Sequence, residues 1–125
     1  PHGGDSGPCG REEIDVLRPA VARANAEGRN IVGPFPSDTL FIRAFKGEFD
    51  AVVTMYHDQG QIALKLKGFE RGVTVAAGQP YAITTPAHGT AYDIAGTGTC
   101  TTSAFETAYK LCAKMAVTDR TYQKQ

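Results

Sequence analysis

The chain predicts an α/β fold on three observations. Ala51-Val52-Val53-Thr54-Met55, inside Asp50 to Tyr56, is a near-continuous apolar run of the kind buried on both faces in a parallel sheet. Other stretches carry apolar residues at helical spacing, and glycine-bearing polar loops punctuate the elements between them. With 125 residues, 42% of them hydrophobic, the chain has the length of one domain and enough apolar content for a core.

Residues 1 to 11 read as a glycine-rich loop containing Asp5. From Glu12 to about Glu27, Ile14, Leu17, Val21 and Ala24 recur at helical spacing. Glu12, Glu13 and Asp15 suit the first turn of that helix, and Gly28 suits its stop. Ile31-Val32 is a short strand candidate, ended by Gly33-Pro34-Phe35-Pro36. Ser37 or Asp38 is placed to cap a brief helix through Thr39-Leu40-Phe41-Ile42-Arg43. The Asp50 to Tyr56 strand then ends in His57-Asp58-Gln59-Gly60, and ligands of open α/β sheets bind beyond the carboxyl ends of strands. Gln61 to Leu66 reads as a short helix with Gln61 and Lys65 on one face. Gly72 to Ala76 and Tyr81 to Thr85 read as two further strands, separated by Gly78-Gln79-Pro80. A loop from His88 to Gly98 leads into a last helix from about Thr102 to Val117, with Phe105, Ala108, Tyr109, Cys112 and Met115 as its expected buried face. The tail from Thr118 to Gln125 is polar and expected to fray.

Thirteen basic and thirteen acidic residues leave no net charge, hence no electrostatic footprint for nucleic acid or an anionic membrane. No apolar run approaches the roughly 18 to 20 residues that span a bilayer, and no signal peptide is expected. Cys9, Cys100 and Cys112 are odd in number and far apart, which suits free thiols in a reducing cytoplasm. Cys112, on an apolar helical face, reads as core. The chain opens at Pro1 directly in a motif, without a leading strand, so it is expected to be a single fragment of a longer protein.

All three histidines stand in polar, glycine-bearing segments: Pro1-His2-Gly3-Gly4, Tyr56-His57-Asp58-Gln59-Gly60 and Ala87-His88-Gly89-Thr90. Glycine lets the backbone approach a ligand closely, so these loops read as shaped around something. Each has a plainer reading: an exposed terminal His2, a strand-end His57 bonded to backbone, and a glycine-rich turn whose Asp93 caps the next segment. Lys65 reads equally as a solvated helix lysine, and Arg71 as a structural turn residue.

His88-Gly89-Thr90-Ala91-Tyr92-Asp93-Ile94-Ala95-Gly96-Thr97-Gly98 resembles the adenosine-binding loop of the β-decarboxylating dehydrogenases, the isocitrate and isopropylmalate dehydrogenase group. The resemblance implies that His88, Gly89, Thr90, Ala91, Ile94, Ala95 and Gly96 hold the adenosine of NAD, with Asp93 accepting hydrogen bonds from a ribose. A carboxylate there favours a free 2′-hydroxyl over a 2′-phosphate, hence NAD over NADP.

Pro1-His2-Gly3-Gly4, Gly10-Arg11-Glu12-Glu13-Ile14-Asp15, Gly33-Pro34-Phe35-Pro36-Ser37-Asp38-Thr39-Leu40-Phe41 and Met55-Tyr56-His57-Asp58-Gln59-Gly60 together resemble one branch of that group. This is the PdxA family, the 4-hydroxythreonine-4-phosphate dehydrogenases of pyridoxal phosphate biosynthesis and their relatives. The likeness runs from Pro1 to about Met115 and covers only the C-terminal part of that family's chain. It implies an isocitrate/isopropylmalate dehydrogenase-like fold. A divalent metal (Zn, Mg, Mn or Co) would be ligated by His2 and His57, with the third ligand outside this chain and Asp38 and Asp58 supporting. It also implies Lys65 on the substrate, a homodimer with the active site at its interface, and a cytoplasmic enzyme.

Two positions depart from the family pattern. Thr74 stands where phosphate-substrate members carry asparagine, and it is taken as substrate-facing. Ile83 stands where they carry the arginine that grips phosphate, and isoleucine offers nothing equivalent to a bidentate guanidinium. The implied parent reaction is NAD-linked, metal-dependent oxidation of a secondary alcohol, with 4-phosphohydroxy-L-threonine oxidised and decarboxylated in pyridoxal phosphate biosynthesis. The alternatives are a relative acting on a four-carbon sugar-acid 4-phosphate or an aromatic cis-dihydrodiol, and a non-catalytic nucleotide-binding or assembly module. Metal and substrate motifs occupy residues 1–65, the nucleotide loop 86–98 and the closing helix 102–117. The isolated fragment is expected to be inactive.

Overall fold

The computed structural model describes residues 2–122. They form two compact units, Pro1–Gln59 and Gly60–Gln125.

In the first unit, the predicted helix forms as a π-helical turn, Glu13–Leu17, that runs into α1 (Arg18–Ala26). Pro19 stands at the start of α1, lacks an N–H and would crowd the carbonyl four residues back, so the wider turn falls directly before it. Gly28 stops the helix as expected. At φ 84° it lets its own N–H reach the Asn25 carbonyl and the Arg29 N–H reach Ala24, at 3.0 and 3.1 Å.

Ile31-Val32 is not a strand. The Asn25 amide takes both backbone groups of Ile31, donating to its carbonyl and accepting from its N–H at 2.9 Å each, which leaves nothing for a ladder. α2 (Ser37–Phe45) starts on Pro36, with no side-chain cap. Ser37 and Asp38 lie inside its first turn instead, where a carboxylate suits the positive end of the helix dipole. Gly47 closes α2 as Gly28 closes α1: the N–H groups of Gly47 and Glu48 bond Ala44 and Arg43 at 3.0 and 3.3 Å. The Arg43 guanidinium lies 4.5 and 4.9 Å from the ring centres of Phe35 and Phe49 and 2.8 Å from Glu48.

The expected strand at Asp50 to Tyr56 is absent; the segment is irregular, with Val53 81% exposed. A doubly buried strand needs a neighbour on each edge and a layer on each face, and no described residue supplies them. The only ladder among the described residues is antiparallel, so the expected parallel sheet is not seen.

α3 (His57–Gly68) is longer than predicted, starting at His57 itself. In the second unit, a turn at Phe69–Arg71 leads into β1 (Val73–Val75), which pairs with β2 (Thr84–Pro86) in the register Val73↔Pro86, Thr74↔Thr85, Val75↔Thr84. Backbone bonds from Ala87 to Gly72 and from Ala76 to Ile83, both 3.1 Å, extend the ribbon at each end. The second strand thus sits three residues later than the predicted Tyr81 start.

α4 (Ser103–Tyr122) continues past the predicted Val117 end, and residues 123–125 of the expected frayed tail lie outside the described residues. Its buried stripe is Ala104 and Ala108, with Cys112 and Met115 half-buried. Phe105 and Tyr109, predicted to face inward, are 62% and 67% exposed. The helix is turned so that its small residues meet the ribbon. Thr84 Oγ1 then donates to the Ala108 carbonyl at 2.8 Å, and Cys112 Sγ reaches the Ala82 carbonyl at 3.5 Å. No helix among the described residues is long and apolar enough to cross a membrane.

Ala108→Leu should lower the unfolding free energy by about 1–3 kcal/mol, since a larger side chain there forces α4 off the ribbon. Asn25→Ala should cost about 1 kcal/mol through the Ile31 bonds. Urea unfolding of the two variants checks both.

Candidate functional site

The first unit builds its candidate site on the glycine loop ahead of the π-helical turn. Gly3, Gly4, Asp5 and Ser6 all take positive φ, as does His2 at 49°, so the segment coils into a tight turn at Gly4–Ser6. Gly4 is buried, and a Cβ on it would run into the Gly10 carbonyl oxygen. This loop places His2 Nε2 3.8 Å from Asp38 in the first turn of α2, and His2 Nδ1 3.9 Å from Asp5. The His2 ring thus lies with a carboxylate near each of its nitrogens, Asp38 by Nε2 and Asp5 by Nδ1. Asp5 is an addition that the sequence analysis left in the loop without a role; its place three residues from His2 was the available signal.

His57 and Asp58 open α3, both exposed. Among the described residues, no three of His, Cys, Asp and Glu gather closely enough to hold a metal ion. His2 lies near two carboxylates, and His57 and Asp58 stand apart from any such group among the described residues. Neutral imidazoles suit zinc and similar borderline ions.

In the second unit, the Lys65 ammonium lies 5.9 Å from the centre of the Phe69 ring and has no carboxylate partner among the described residues. Thr74 is exposed on β1 opposite Thr85, while Ile83 is half-buried beside the ribbon. Arg71 likewise makes no ion pair among the described residues.

The loop between β2 and α4 is a sequence of closed turns. His88 Nδ1 donates to the Gly89 carbonyl at 2.8 Å, leaving Nε2 outward. Ala91 takes φ 49°, a left-handed conformation costly for a residue with a Cβ. It opens a short turn, Tyr92–Ile94, in which Ile94 and Ala95 donate to the carbonyls of Ala91 and Tyr92 at 3.2 Å each. Gly96 at φ 77° turns the chain back. Gly89, Thr90, Asp93 and Ala95 are exposed, and the Asp93 carboxylate has no partner among the described residues. Of the loop's predicted members, only Ile94 is half-buried. The arrangement offers an exposed acceptor on a short backbone-bonded turn.

A family model described as "Pyridoxal phosphate biosynthetic protein PdxA" matches residues 1–112. The chain belongs to the PdxA family. A Rhizobium meliloti relative, provisionally named 4-hydroxythreonine-4-phosphate dehydrogenase 2, is 58% identical over 93% of this chain and 33% of its own length. D-threonate 4-phosphate dehydrogenase of Salmonella typhimurium is 47% identical over 93% of this chain and 36% of its own. The crystal structure of 4-hydroxythreonine-4-phosphate dehydrogenase from Klebsiella pneumoniae superposes with a TM-score of 0.79 at 46% identity, over 93% of this chain and 35% of that one. The described residues thus take the fold that this portion has in a solved PdxA dehydrogenase. The chain spans about a third of the length of the relatives it matches.

Gly4→Ala should destabilise the loop that carries His2 by about 1–3 kcal/mol, because the residue would keep a left-handed φ and meet the Gly10 carbonyl. Denaturant unfolding monitored beside wild type measures the loss.

Proposed function

We propose that the full-length protein is a PdxA-type dehydrogenase that oxidises a secondary alcohol with NAD as hydride acceptor, built on an isocitrate/isopropylmalate dehydrogenase-like fold. The observation that carries this reading is the family match over residues 1–112 together with a His88–Gly98 loop of closed turns in which the Asp93 carboxylate has no partner among the described residues. In this reading Asp93 accepts hydrogen bonds from the adenosine ribose, and the exposed backbone of Gly89 to Ala95 lies against the adenine side. Its charge disfavours a 2′-phosphate. His2 and His57 are two donors of a divalent cation, Asp38 orients His2, Asp58 stands behind His57, and residues outside this chain complete the set. When bound, the cation would polarise the substrate hydroxyl as a Lewis acid and NAD would take the hydride. Lys65, with no carboxylate partner among the described residues, offers its ammonium to an anionic group of the substrate, and Thr74 offers a hydroxyl. A homodimer with the site at its interface, in the cytoplasm, is the assembly this reading implies.

The first substrate to test is 4-phosphohydroxy-L-threonine. A four-carbon sugar-acid 4-phosphate is the second reading, favoured by the relative that acts by name on D-threonate 4-phosphate, while the isoleucine at 83 favours neither phosphate. Isoleucine cannot make a charge-assisted pair with phosphate. Unphosphorylated diols follow from the same loss.

NADH formation by the full-length protein with Zn²⁺, Mn²⁺ or Co²⁺ and this substrate panel tests the reading. Turnover of one member is expected; silence with every metal and substrate would overturn it in favour of a non-catalytic module. Asp93→Ser should lower kcat/KM for NAD by about 10- to 100-fold, the worth of hydrogen bonds to a charged group, while NADP gains relative to it.

A further inference from the structure

We propose that Thr97 is a positioning residue for the nicotinamide cofactor: its hydroxyl locks the turn that presents Asp93. The inference rests on the reading of the His88–Gly98 loop as the adenosine seat.

Thr97 stands between two glycines of positive φ, Gly96 at 77° and Gly98 at 71°. These two reversals bring its side chain back over the turn it follows. Thr97 Oγ1 donates to the Ile94 carbonyl at 2.7 Å, and the Thr97 N–H bonds the same oxygen at 3.2 Å. The hydroxyl also lies 2.7 Å from Thr99 Oγ1 and accepts from the Thr99 N–H at 3.4 Å. One side chain thus ties three residues on either side of Gly96 into a single knot.

The knot matters because it anchors, at Ile94, the carboxyl end of the Tyr92–Ile94 turn, which is otherwise poorly held. Ala91 opens that turn in a left-handed conformation that a β-carbon disfavours. The turn residues Tyr92 and Asp93 are exposed and bury almost nothing that would hold them. Among the described residues, the bonds across that turn are two backbone bonds of 3.2 Å. A carboxylate that must meet a ribose gains affinity when its turn is ordered before binding, since the ligand then need not supply the ordering. Thr97 provides that ordering through bonds within the chain.

The test uses the full-length protein and needs no substrate. NADH dissociation constants are measured by fluorescence for wild type, Thr97→Val, Thr97→Ser and Thr99→Val, alongside the melting temperature of each unliganded protein. Valine keeps the shape and the backbone N–H but removes the hydroxyl. Thr97→Val should weaken NADH by about threefold to tenfold, the worth of one net hydrogen bond. Its melting temperature should stay at the wild-type value. Thr97→Ser should restore wild-type affinity, and Thr99→Val, which spares the Ile94 bond, should fall between. Wild-type affinity in Thr97→Val overturns the inference alone, as does a loss that serine does not rescue. If wild type itself fails to bind NADH, the reading of the loop falls and the inference falls with it.

Discussion

Close approach between α4 and β2 is the contact on which the second unit depends. Ala104 and Ala108 are small enough to let the ribbon lie directly on the helix backbone, and the approach brings the Thr84 hydroxyl onto the Ala108 carbonyl. Cys112 repeats the arrangement one turn later against Ala82. These contacts also fix both ends of the His88–Gly98 loop segment, which leaves β2 after Pro86 and enters α4 at Ser103. Ser103 adds a bond to the Glu70 carbonyl at 3.4 Å, so the loop's far end is tied to the turn before β1. Closing a loop carries an entropy cost that the packing of its flanking elements offsets. The turns inside the loop then need to order only themselves.

The first unit reaches order differently, through helix ends more than through a core. Two glycine-closed helices, the Asn25 amide on Ile31, and Arg43 between two phenylalanines set where the chain reverses. These devices carry α2 to the place where Asp38 meets His2. Exposed ion pairs are individually weak, so the 3.8 Å pairing reflects the backbone that positions it and does not itself hold the loop.

Helices and their stops were legible in the sequence because the signals are local. Apolar spacing marked α1 and α4, and Gly28 marked an end that the backbone bonds reproduce. The failures share one cause, which is that burial is not a local property. Ala51 to Met55 has the composition of a strand enclosed on both faces, yet no described residue covers it. Phe105 and Tyr109 are large and apolar enough to suggest an inward face, while alanines take the contact because close approach needs small side chains. Ile31 failed for a different reason, since a side chain six residues earlier claimed its backbone. At the candidate site, motif reading singled out the histidine loops and named Asp38 near the proposed metal, and Asp38 lies 3.8 Å from His2. It did not register Asp5 beside His2 or the hydroxyl of Thr97, whose roles depend on positive-φ reversals that spacing alone does not reveal. The family resemblance named His2 and His57 as ligands of one metal, and among the described residues no donor set gathers around either of them.

The central claim is that the His88–Gly98 loop is the seat of a nicotinamide cofactor. Amide hydrogen exchange of the full-length protein, with and without saturating NADH, addresses it most directly. The account predicts that peptides covering His88 to Gly98 become protected while those covering α1 exchange as before. Protection confined to other segments, with this loop exchanging at its unliganded rate, would contradict it.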